Sequence, residues 1–195
     1  VKTGIFSGSF DPPHNGHLAL ALFGRELLDL DRLIVSVSKN PFKAASPTSD
    51  EDRVQMAALL VSELNVAGAF AEVSTWEMRQ RGPSYTVELI RHVKERYGED
   101  DLVFLAGEDS YRQMPEWREP QEIAQLCTIA VFGRSGSDSV PESCGVTFLP
   151  ALLLDFDLPV SATMIRNHVA SGQSIGHLVP PSISAYIESR SLYRS

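Results

Sequence analysis

At 195 residues, with 43% hydrophobic and 22% charged side chains, the chain is long enough for one well-buried domain and too short for two ordinary catalytic ones. A formal charge of -8 argues against a general nucleic-acid binder, which needs a basic surface to displace counterions from phosphates. With that acidic balance any phosphate ligand must be held in a local pocket, and no stretch approaches the roughly 18 unbroken apolar residues of a membrane span. The two cysteines, Cys127 and Cys144, have neither C-x-x-C spacing nor nearby metal-site partners and read as reduced thiols. The first residues carry no basic segment followed by an apolar leader, so the expected address is cytoplasmic.

In chain order, Lys2-Thr3-Gly4-Ile5-Phe6-Ser7 is a short apolar run that ends in the glycine and proline loop Gly8 to Gly16. A helix follows from His17 through Leu28, and Leu33-Ile34-Val35-Ser36-Val37 reads as a second strand. The opening forty residues therefore make one β-α-β unit with parallel strands. Ser49-Asp50-Glu51-Asp52 is a capping sequence for a helix with Val54, Ala57, Leu60, Val61 and Leu64 on its buried side. A strand at Ala71–Ser74 comes next, then a helix from about Tyr85 to Tyr97 with Val87, Ile90 and Val93 inward and Gly98 at its stop. Leu102–Ala106, Ile129–Phe132 and Val146–Leu149 read as three further strands, with a serine- and glycine-rich surface loop from Ser135 to Ser143. The alternation predicts an α/β fold, a Rossmann-like doubly wound and mainly parallel sheet with flanking helices. All 195 residues are expected in that single domain, including a C-terminal helical segment from about residue 161.

In such sheets ligands bind at the carboxyl ends of the strands, so the loops after the first, second and Leu102–Ala106 strands should face one cleft. The first is Gly8-Ser9-Phe10-Asp11-Pro12-Pro13-His14-Asn15-Gly16-His17, which puts two histidines at the start of a helix. Unpaired backbone N–H groups and the positive dipole end there favour a phosphate, and the histidines can donate to it. Near the other end, Val160-Ser161-Ala162-Thr163-Met164-Ile165-Arg166 places hydroxyls before a helix and an arginine one turn later. Taken alone this second string is what any capped helix looks like; beside the first it also reads as a second phosphate-gripping element.

The Gly-Ser-Phe-Asp-Pro and His-x-Gly-His pattern resembles the signature of the adenylyl- and cytidylyltransferase superfamily, and Ser161 to Arg166 resembles its second signature, which grips the ATP triphosphate. Within that superfamily the chain is most similar to bacterial nicotinate mononucleotide adenylyltransferases, over nearly its whole length. Asn40-Pro41-Phe42-Lys43 stands where the family has a Pro-His-Lys loop, which implies that Lys43 reaches the ATP phosphates. Pro83-Ser84-Tyr85-Thr86 resembles the Ser-Tyr-Thr segment of the mononucleotide site, with Thr86 near the nicotinate ring and Trp117 at the family tryptophan that packs on the pyridine. Gly107-Glu108-Asp109-Ser110 looks like the adenosine-side loop, and Arg134 corresponds to a basic residue that holds the mononucleotide phosphate. Leu178-Val179-Pro180-Pro181, Ala185-Tyr186-Ile187 and Leu192-Tyr193 resemble the closing helix, which the shorter pantetheine phosphate adenylyltransferases lack. Two departures stand out: Phe42 replaces a histidine, and Ala162 replaces a serine hydroxyl.

The resemblance implies adenylyl transfer from ATP to nicotinate mononucleotide. His14, His17, Lys43 and Arg166 would be the catalytic set, and Gly8, Ser9, Phe10, Gly16, Gly107, Asp109, Ser161 and Thr163 the ATP contacts. Ser84, Tyr85, Thr86, Trp117 and Arg134 would hold the mononucleotide. Mg²⁺ is expected to arrive with ATP, bound by phosphate oxygens and water and by no protein side chain. No nucleic acid or membrane partner is expected, and a homo-oligomer is compatible with the reading. The alternatives are a pantetheine phosphate adenylyltransferase and a regulator that binds nucleotide without turnover.

Overall fold

The computed structural model describes residues 1–39, 48–133, 151–156 and 158–194. In chain order the elements are β1 (Lys2–Gly8), α1 (Asn15–Leu28), β2 (Arg32–Val37), α2 (Asp50–Leu64), β3 (Ala71–Ser74) and α3 (Trp76–Arg79). Then come α4 (Thr86–Arg96), β4 (Asp101–Gly107), α5 (Glu108–Gln113), a 3₁₀ turn at Met114–Glu116, α6 (Pro120–Leu126) and β5 (Thr128–Gly133). The last are β6 (Ala151–Asp155), α7 (Ala162–Ala170) and α8 (Pro181–Ser189).

The strands pair in parallel in the order β3-β2-β1-β4-β5-β6. The chain winds outward from β1 in one direction, returns, and winds outward from β4 in the other, so the crevice of a doubly wound sheet opens between β1 and β4. Alternation along each buried strand divides the core between the two sheet faces. Phe6, Leu33, Val35 and Leu105 pack with Leu20 of α1, Met56 and Leu60 of α2 and Ile183 and Ile187 of α8. Ile5, Ile34, Phe104 and Val131 pack on the opposite face with Val87, Ile90 and Val93 of α4 and Ile123 of α6.

The cap at Ser49 forms as its sequence suggests, with the hydroxyl accepting from the Asp52 N–H at 3.0 Å. In α2 the fully buried positions are Met56, Ala57, Leu60 and Leu64, whereas Val54 and Val61 are only partly covered. The strand expected at Val146–Leu149 lies outside the described residues; β6 at Ala151–Asp155 is a strand that the sequence reading did not mark. The short helices α3 and α6 were likewise unmarked. Cys127 is a buried free thiol, which burial pushes up to about 12, and Cys144 lies outside the described residues. Among those residues no helix is long and apolar enough to cross a membrane.

Candidate active site

A cleft of about 980 Å³ opens at the carboxyl ends of the strands, at the upper end of the size range of small-molecule sites. Its floor is the β1–α1 loop. The loop leaves the sheet through Phe10, whose φ of 48° is left-handed and whose ring is 1% exposed, held edge-on against Phe6 at 5.5 Å and His17 at 5.1 Å. A bulky residue adopts that backbone only where its surroundings enforce it. The loop then enters α1 at His14, which is extended at the N-cap position.

The two histidines form one unit. Their rings stack with centroids 3.7 Å apart and 24° between planes, and the Nδ1 of His17 accepts the backbone N–H of His14 at 3.1 Å. With Nδ1 as acceptor, a neutral His17 carries its proton on Nε2. His14 is 8% exposed, and burial lowers it to about 4, so it is neutral at physiological pH. Its buried Nδ1 has no hydrogen-bond partner among the described residues, an exception that calls for a ligand or a functional reason. Gly16 between them is sterically required: a Cβ there would stand 2.9 Å from Val160 Cγ1 and 3.0 Å from the His14 ring.

The second motif lines the same cleft and packs directly against the loop that carries this pair. Ser161 caps α7 by accepting the Met164 N–H at 3.2 Å, so the ordinary capping role is real, while its hydroxyl proton is still a potential donor. Arg166 donates to the Asp11 carbonyl at 2.7 Å and to the Thr163 hydroxyl at 3.2 Å. The arginine thus ties α7 to the β1–α1 loop. Ala162 begins α7 and lines the cleft, with no hydroxyl at that place.

At the other end, Ser84, Tyr85, Thr86 and Trp117 line the same cleft. Tyr85 caps α4, the Arg118 guanidinium lies 4.9 Å from its ring centroid and pairs with Glu88 at 3.0 Å, and Trp117 packs edge-on to Phe104 at 6.2 Å. Gly107 caps α5, and the place its side chain would occupy is open space; Asp109 is exposed in the first turn of α5. The cleft therefore brings together His14, His17, Gly8, Ser9, Phe10, Gly16, Gly107, Asp109, Ser161, Thr163, Arg166, Ser84, Tyr85, Thr86 and Trp117. Lys43, with Asn40, Pro41 and Phe42, and Arg134 lie outside the described residues.

Three lining or supporting residues escaped the sequence reading. Glu77 is 3% exposed beneath the cleft and accepts from Ser36 at 2.8 Å and Ser7 at 3.1 Å; desolvation raises its pKa, and the serine hydroxyls oppose that rise. It sits in a helix of four residues, too short for periodicity to mark. Arg118 was passed over beside Trp117. Asp11 lies inside the first motif and accepts a hydrogen bond from Tyr193, a partner 182 positions away. Among the described residues no three His, Cys, Asp or Glu side chains are grouped so as to hold a metal ion.

Residues 5–168 match the cytidylyltransferase-like family model. The chain is 62% identical to a probable nicotinate-nucleotide adenylyltransferase of Chlorobaculum tepidum, with 99% of each chain covered. It is 58% identical to the protein of the same name in Chlorobaculum parvum, with both chains covered in full. Among solved structures, Plasmodium falciparum nicotinic acid mononucleotide adenylyltransferase complexed with NaAD superposes with a TM-score of 0.79 at 19% identity, covering 98% of this chain and 97% of that one. The same Plasmodium enzyme complexed with APC gives 0.78 at 18% identity, covering 98% and 96%; at such identity the likeness speaks for the fold. The fold, the two motifs gathered in one cleft and the full-length relatives together make the chain a member of the cytidylyltransferase-like family, on its nicotinate-nucleotide adenylyltransferase branch.

Proposed function

We infer that the chain transfers the adenylyl group of ATP to the phosphate of nicotinate mononucleotide, giving nicotinate adenine dinucleotide and pyrophosphate in the biosynthesis of NAD. The observation that carries this reading is the stacked His14–His17 pair at the start of α1, in one cleft with Arg166, Tyr85 and Trp117. The names of the full-length relatives support the acceptor, as does the NaAD bound by the Plasmodium enzyme.

In the proposed step an acceptor phosphate oxygen attacks the α-phosphorus of ATP. The bond from that phosphorus to the bridging oxygen breaks, and pyrophosphate leaves with the electron pair. The acceptor phosphate is ionised at neutral pH, so no protein base is needed, and a His14 held down to about 4 suits a neutral donor better than an acid. Catalysis is then positioning and stabilisation of negative charge. His17 donates from Nε2 to the α-phosphate, the positive dipole end of α1 adds to it, and Arg166, with Ser161 and Thr163, holds the β- and γ-phosphates. Lys43 is assigned to the same phosphates, and Arg134 to the mononucleotide phosphate, by resemblance. Gly107 leaves room for the adenosine, beside Asp109. Ser84, Tyr85, Thr86 and Trp117 take the pyridine end. Mg²⁺ would enter bound to the ATP phosphates and water and would neutralise phosphate charge. The reading assigns the protein to the cytoplasm.

The test is pyrophosphate release from ATP with and without nicotinate mononucleotide. Acceptor-dependent release is expected; release that ignores the acceptor, or none at all, would reject the assignment.

A further inference from the structure

The end of the chain reaches back to the phosphate centre. Helix α8 is fastened along α2: Ser182 donates to Glu63 at 2.6 Å, and Tyr186 and Arg190 both donate to the buried Asp52 carboxylate, at 2.8 and 3.1 Å. Ile183 and Ile187 seal it into the core. Beyond the helix, Ser191 and Tyr193 adopt left-handed backbone with φ of 52° and 61°, and the tail folds back instead of continuing outward. The Tyr193 hydroxyl ends 2.7 Å from Asp11 Oδ1 and 4.0 Å from Met56 Sδ.

Asp11 is the residue through which the β1–α1 loop is held from several sides. It is 6% exposed. Its carbonyl accepts from Arg166, and the preceding residue is the left-handed Phe10, whose ring packs on His17. Left-handed non-glycine residues thus lie at both ends of the Tyr193–Asp11 contact. Such a conformation is strained and persists only when neighbouring contacts enforce it. A tail that served only to cover apolar surface would need neither the turned-back backbone nor a hydroxyl aimed at a loop carboxylate.

We propose that Tyr193 is a positioning residue for adenylyl transfer: by donating to Asp11 it fixes the loop that aligns His17 and anchors Arg166. The proposal rests on the reading that this cleft performs adenylyl transfer. It makes the geometry of the phosphate site depend on the last residues of the chain. Asp11 also lines the cleft, so the contact lies at the edge of the site that it orders.

The experiment uses the full chain with Tyr193→Phe, which keeps the ring and removes one oxygen. Amide hydrogen exchange across residues 9–17 should quicken in this variant while α2 and the sheet stay protected. Under conditions where circular dichroism shows it fully folded, kcat should fall roughly 5- to 10-fold, the size of one ordinary hydrogen bond, and the KM for the mononucleotide should move less. In an Asp11→Ala background the same change should lower kcat no further. Unchanged exchange in the loop, an unchanged kcat, or an equal kcat loss in the Asp11→Ala background would each overturn the proposal. A wild-type protein without acceptor-dependent turnover would defeat the functional reading instead, and the exchange measurement would still decide whether Tyr193 orders the loop.

Discussion

The two ends of the cleft are built differently. Around His14 and His17 the chain is buried and tied from every side: a left-handed Phe10 locked among rings, a glycine with no space for a methyl group, and contacts to Arg166 and Tyr193 from the far end of the sequence. Tyr85 and Trp117 pack on the core face that holds Phe104, but the charged groups around them are pairs at the surface, Arg118 with Glu88 and Arg91 with Glu119 and Glu122, of a kind that contributes little to stability. The end proposed for the phosphates is tied more heavily than the end proposed for the acceptor. Transfer chemistry depends on placing reacting atoms to within fractions of an ångström, whereas a stacked ring tolerates small shifts.

Perturbations of the two ends should therefore differ in size and kind. The largest effect in free energy is in acid. His14 has an ordinary value of 6.5 and a folded value of about 4, so between these pH values the unfolded chain holds a proton that the native state does not. Its contribution to stability is complete above about pH 6.5 and is lost as pH falls towards about 4, by about 3 kcal/mol in all. Urea titrations across that range should show a shallower decline for His14→Gln than for the wild type; equal slopes would mean that the site is not closed to the proton. Next, His17→Ala should lower kcat by at least ~100-fold, as removal of a transition-state donor does, without unfolding the protein at 25 °C. Steady-state kinetics showing near-normal turnover would remove His17 from the chemistry. Arg166→Ala should raise the KM for ATP roughly 10-fold, more than that for the acceptor, because charge-assisted bonds are the strong ones; the reverse ranking would contradict its place at the triphosphate. Trp117→Ala should raise the KM for the mononucleotide roughly 5-fold with kcat little changed, the range of an aromatic stacking contact. Last, Arg91→Ala should lower the melting temperature only slightly, since Arg91, Glu119 and Glu122 all keep about a third or more of their side-chain surface in solvent.

The same contrast explains what could be read before the fold was known. The β1–α1–β2 unit is legible because strand, loop and helix signals adjoin within forty residues, and Leu60, Ile90 and Val93 take the buried places that their spacing indicates. The proposed phosphate site is legible because the glycines and the two histidines of that loop adjoin a helix start, where an anion is favoured. Glu77 was missed, and Tyr193 was read only as part of the closing helix, which ends at Ser189, since their contacts are with partners 41 and 182 positions away, which no local pattern records. Strand β6 was missed because Ala151-Leu152-Leu153-Leu154-Asp155 is a bare apolar run that periodicity cannot distinguish from other buried segments, and the strand expectation settled on Val146–Leu149 just before it. Short helices such as α3 fail for want of a full amphipathic turn.

The most direct measurement of the central claim is mass-resolved product analysis after the protein is given ATP and CTP together with nicotinate mononucleotide, nicotinamide mononucleotide and phosphopantetheine. The account predicts nicotinate adenine dinucleotide as the principal product. A product made from CTP, or one made chiefly on phosphopantetheine, would contradict it.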